Sequence, residues 1–149
     1  MIFKKQSLFL LLALGLVACQ PAKISTGVLD VKNVWARPAA NGDNGAVYFT
    51  IENGTAQDDV LNSVQTDIAT AVELHMSVME GDRMSMHQQE VVTIPDGESV
   101  EFTPGGLHMM LIGLVRELKA GDTFDVTLEF ENAGEKIVTV TVRDDVNDD

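Results

Sequence analysis

Apolar and polar side chains alternate one by one along four separate stretches of this chain, and that period of two fixes the class of fold. Val47, Phe49 and Ile51 alternate with Tyr48, Thr50 and Glu52, and Val100 and Phe102 with Ser99, Glu101 and Thr103. Phe124, Val126, Leu128 and Phe130 alternate with Asp125, Thr127, Glu129 and Glu131, and Val138, Val140 and Val142 with Thr139, Thr141 and Arg143. Successive side chains of an extended chain point to opposite faces, so each stretch offers one face to a core and one to water. Turn formers punctuate the runs: Asn41-Gly42-Asp43, Asn53-Gly54, Glu80-Gly81-Asp82, Pro95-Asp96-Gly97, Pro104-Gly105-Gly106, Ala120-Gly121-Asp122 and Ala133-Gly134. No long stretch follows a 3.6-residue period. Many short strands without helical insertions predict an all-β, antiparallel β-sandwich. The 149 residues, 45% of them hydrophobic, suit a single domain, with no internal repeat and no second domain.

The first residues read as an export signal. Lys4 and Lys5 precede an apolar run, Leu8 to Val17, that is too short to span a bilayer comfortably. The run ends at Leu16-Val17-Ala18-Cys19, which resembles a bacterial lipobox, where the cysteine becomes the first mature residue and carries lipid. The expected organisation is a lipoprotein signal peptide over 1–18, a tether over 19–27, a β-sandwich domain over 28–143 and a solvated acidic tail over 144–149. The alternative is an ordinary secretory signal with an incidental cysteine. Both place the domain outside the cytoplasm, lipid-anchored to the cell membrane or periplasmic. Cys19 is the sole cysteine, which excludes an intrachain disulfide and a Cys-rich zinc site. Lys plus Arg number 10 against 23 Asp plus Glu, a net charge of -13, so nucleic acid is not an expected partner.

The candidate functional residues are gathered between His75 and Met110. That window holds all 3 histidines, His75, His87 and His108, and every methionine except Met1. Imidazole and thioether select soft or borderline metal ions, whereas carboxylates and water suit hard ones. If Glu80-Gly81 is a two-residue hairpin loop, Met79 pairs with Asp82 and His75 lies directly opposite Met86. His108 and Met110, two apart on a strand from Leu107 to Leu114, share a side, with Met109 on the other. Two neutral imidazoles and two thioethers make a four-coordinate set suited to one Cu(I) ion. His75, Met86, His108 and Met110 are therefore the metal-ligand candidates, with Met76 and Met84 as auxiliary candidates. His87 should face away from Met86, Met109 and Trp35 should be core residues, and Met79 stands between packing and guiding an ion inward.

These residues carry a family resemblance. His75, an adjacent Met76, Met86 eleven positions after His75, His108 twenty-two further and Met110 two beyond it match the signature of the periplasmic copper chaperones called PCu(A)C. The likeness extends to Val34-Trp35-Ala36-Arg37-Pro38 and Gly45-Ala46-Val47-Tyr48-Phe49. The resemblance implies a cupredoxin-like Greek-key β-sandwich that holds one Cu(I) near its surface. It also implies delivery to the binuclear copper centre of a cytochrome c oxidase, with an oxidase subunit or a thiol-bearing copper protein as acceptor. The segment after Val142 is acidic, not His- and Met-rich as in some members, so no second copper site is expected there.

The expected activity is binding and transfer by a monomer, not enzymatic. No Gly-rich phosphate loop is present and no Ser-His-Asp set is suggested. A blue-copper electron carrier needs a cysteine thiolate beside two histidines, and Cys19 lies far from the cluster in sequence. Copper sequestration for tolerance is the alternative that uses the same site.

Overall fold

A computed structural model describes residues 25–144. The expected signal peptide, the lipidation site Cys19 and most of the acidic tail lie outside the described residues. The ten strands are β1 (Leu29–Ala36), β2 (Gly45–Asn53), β3 (Asp59–Gln65), β4 (Ala69–Glu80), β5 (Arg83–Gln89), β6 (Val92–Ile94), β7 (Ser99–Phe102), β8 (Leu107–Leu114), β9 (Thr123–Phe130) and β10 (Gly134–Val142). No helix occurs among the described residues.

The strands are hydrogen-bonded in the order β5-β4-β8-β7-β2-β1-β10-β9-β3-β6, with β8 also pairing β2. Their inner faces enclose one core. Val47, Phe49 and Ile51 of β2 and Met109 and Leu111 of β8 meet Leu61 of β3, Val126 and Leu128 of β9 and Val140 of β10. The rings of Phe49 and Phe102 stack across the β2–β7 rung at 4.2 Å between centroids.

The expected sandwich is correct in class but not wholly antiparallel. β1 runs parallel to β10, with Trp35 paired to Thr141, and β7 touches β8 in parallel at Phe102 and Leu107. The first pairing is made possible by a bulge in β1 between Lys32 and Trp35, where Asn33 adopts φ 53°. A bulge sharpens the local twist, which lets one strand serve two partners of different direction. Asparagine is among the few non-glycine residues that tolerate that conformation.

β2 departs from simple alternation. Tyr48, expected to face water, is buried against Trp35 at 4.7 Å between ring centroids, and the Arg143 guanidinium lies 4.5 Å from the Trp35 ring centre. The outer face of this central strand is thus covered by an aromatic pair and a cation.

Candidate metal site

The site is built on the outer face of the β5-β4-β8 ribbon. Residues two apart on a strand share a face, so Glu73, His75, Ser77 and Met79 of β4 form one row. On one side, His75 pairs with His108 and Glu73 with Met110. On the other, His75 pairs with Gln88, Ser77 with Met86 and Met79 with Met84.

The hairpin register differs from the expected one by two residues. The loop is Gly81-Asp82, with Glu80 paired to Arg83, so Met86 lies opposite Ser77 and diagonal to His75. The reason is local. Gly81 adopts φ 65°, the positive value required at the first position of a two-residue loop with glycine leading. Glu80 is held in the strand, where its carboxylate accepts hydrogen bonds from Ser85 Oγ at 2.7 Å and His87 Nε2 at 3.0 Å. Those two bonds, Ser85 first, hold the Glu80 carboxyl below its ordinary value. A shift of two preserves the face, so Met86 remains on the side of His75 at the diagonal spacing of about 7–8 Å between backbones.

Around His75 the sheet therefore sets His108 directly opposite, Met110 on one diagonal and Met86 on the other. The two imidazole centroids are 5.8 Å apart and the rings are inclined at 51°. His108 is 5% exposed, and its Nδ1 donates to the Gly106 carbonyl at 3.0 Å. A carbonyl can only accept, so in the neutral ring Nε2 of His108 keeps its lone pair. His75 is tied by the other nitrogen: Nε2 donates to Glu73 Oε2 at 2.7 Å. Its Nδ1 is buried with no hydrogen-bond partner. Each imidazole thus has one nitrogen anchored to an oxygen and one without a competing partner.

A shallow groove joins His108 and Met110 to Ser77, Met84 and Met86, with Tyr48 and Arg37 on its wall. Burial pushes the Tyr48 phenol above its ordinary value, and the Arg37 guanidinium, 6.0 Å from the Tyr48 ring centre, partly opposes this. Among the described residues no three His, Cys, Asp or Glu side chains converge as a hard-ion cage would require. The groove beside His108 is lined by the thioethers of Met84, Met86 and Met110.

The remaining candidates fall on both faces. Met84 shares the face of Met86. Met76, carried as an auxiliary candidate, pairs with Leu107 and His87 on the opposite face and is not brought to this cluster. His87 lies on that opposite face beside Glu80. Met109 is fully buried in the core. Glu73 and the Gly106 carbonyl escaped the sequence reading. Glu73 was accessible to it, because a carboxylate two residues before a strand histidine shares its face. The Gly106 contact depends on the fold of a loop.

The family profile described as "Putative lipoprotein LpqE-like" matches residues 29–142. A putative lipoprotein of Leifsonia xyli subsp. xyli is 29% identical over 141 residues, covering 88% of this chain and 84% of the relative. Among solved structures, the copper-bound PCuAC domain from PmoF2 superposes with a TM-score of 0.68 at 22% identity, covering 83% of this chain and 98% of that one. The solution structure of Cu(I)-DR1885 from Deinococcus radiodurans gives 0.60 at 29% identity, covering 81% and 83%. With its all-strand fold and the matched span from β1 to β10, this chain belongs to the LpqE-like lipoprotein family, a branch of the PCu(A)C proteins.

Proposed function

We propose that the protein is an extracytoplasmic copper chaperone that binds one Cu(I) through His75, Met86, His108 and Met110 and releases it by ligand exchange. The observation that supports this reading is the placement of two half-anchored imidazoles and two thioethers on one sheet face. All four donors are uncharged when bound, which suits a soft monovalent ion. The copper held by the PmoF2 domain and by DR1885 supports the same cargo. Thioethers bind without losing a proton, and an acceptor with thiolates can draw the ion away. A cytochrome c oxidase subunit, or a thiol-bearing copper protein serving its binuclear centre, is the acceptor in this reading. Lipid attachment at Cys19 would hold the carrier at the membrane, and the lipoprotein description of the family supports it.

A Cu(I) competition assay tests the site. Each of His75→Ala, Met86→Ala, His108→Ala and Met110→Ala should weaken binding by at least about tenfold, about 1.4 kcal/mol. Undiminished affinity in all four variants would remove the site from consideration. Transfer is tested by mixing the loaded protein with a reduced dithiol acceptor, which should take the copper.

A further inference from the structure

The hairpin carries two thioethers that the proposed four-donor site does not use. Met79 and Met84 are directly opposed on the rung next to Glu80 and Arg83, and they are 62% and 59% exposed. Met86, two residues beyond Met84, is 56% exposed. Side chains this exposed are not filling gaps in a core, which is the usual structural use of methionine. Placed side by side on the β4–β5 hairpin, they form an apolar patch that packing does not account for.

Their spacing separates them from the first site. At about 3.4 Å per residue, Met79 lies about 13–14 Å along β4 from His75, with the rung of Met86 midway. An ion held at Met79 would be two same-face positions away from His75, twice as far along β4 as the rung of Met86. It can sit between Met79 and Met84, because directly paired residues hold their Cβ atoms about 4.5–5.5 Å apart and each side chain has three rotatable bonds. Met84 and Met86 also line the groove that reaches His108 and Met110. Glu80 and His87 are bonded to one another on the opposite face, and Asp82 lies in the loop. The face that carries Met79, Met84 and Met86 therefore sets three sulfurs together, away from the Glu80–His87 pair.

We propose that Met79 and Met84, with Met86 as the shared third donor, form a second and weaker site for a soft monovalent ion, through which Cu(I) enters and leaves. As an entry route this rests on the function proposed above; as a metal site it stands on the thioether cluster alone.

Silver(I) serves as the probe, with methionine methyl groups labelled for NMR, in the His75→Ala/His108→Ala protein. The methyl signals of Met79, Met84 and Met86 should move together on titration, while that of the buried Met109 stays in place. Adding Met79→Leu, an exposed and nearly volume-conserving change, should weaken this binding by about tenfold. The proposal is overturned if Met79 and Met84 do not respond, or if Met79→Leu leaves the affinity as it was. The first site is read separately in the wild-type protein, from the imidazole and Met110 signals. Silence there with a responsive tip sinks the chaperone site and leaves the tip site standing.

Discussion

At the scale of single residues, the site depends on what holds each imidazole. Glu73 accepts from His75 Nε2, and such a bond fixes both ring orientation and tautomer. Glu73→Ala should weaken Cu(I) binding by about 10–100-fold, and Glu73→Gln, which keeps an acceptor oxygen, should lose less. The competition assay distinguishes them. Acidification should weaken binding in every version that retains a histidine ligand, because a protonated imidazole cannot coordinate, whereas the thioethers are indifferent to pH. Tyr48 gives a local reporter, since it is the chain's 1 tyrosine. Its raised value means that the neutral phenol is favoured in the fold. That contribution is present below the ordinary tyrosine range and is lost as pH rises through the raised value. Absorbance titration should show the late ionisation, and Arg37→Ala should delay it further by removing the opposing charge. Spacing in the sequence put His75, Met86, His108 and Met110 on one sheet face, and the strand pairing sets them there. The sequence hid the burial of Tyr48, because an aromatic at an outward position looks solvated until Trp35 is known to cover it.

At the scale of elements, the β4–β5 hairpin fixes how sulfur meets nitrogen. The strand from Leu107 to Leu114 was legible to the residue, because an apolar run starts directly after Gly105-Gly106. The hairpin was legible as a hairpin but not in register, since Glu80, Gly81 and Asp82 offer two loop placements and only the need for a positive φ at the leading position decides between them. Neither β3 nor β6 stood out. β6 is three residues long, too short to display a period. The hairpin should also respond to acid. The Glu80 carboxyl is lowered by Ser85 and then His87, so its contribution is present above the ordinary carboxylate range and is lost as pH falls through the lowered value. Amide exchange in β5 should quicken over that fall. Ser85→Ala should return the Glu80 titration toward its ordinary position, followed by carboxyl NMR.

At the scale of the whole molecule, the sandwich is closed by buried contacts that alternation does not announce. The Asp59 carboxylate is buried at the start of β3 and accepts from the backbone amides of Asn132 at 2.9 Å and Ala133 at 2.8 Å. It thereby fastens β3 to the turn between β9 and β10. Asp59→Asn replaces an acceptor by a donor facing donors and should cost about 2–3 kcal/mol in denaturant unfolding. Phe49→Ala, which empties a ring stacked on Phe102, should cost about 3–5 kcal/mol. The all-β class was readable because the period of two persists across four strands. The parallel entry of β1 beside β10 was not, because it depends on one bulge at Asn33. One last consequence lies in the ladder itself. His75 and His108 ride on strands gripped from both sides, whereas Met86 rides on β5, which among the described residues has a neighbour on one side alone. Fluctuation peels a sheet from its margin inward, so at the proposed site the Met86 thioether should let go at the fringe while His75, His108 and Met110 still hold.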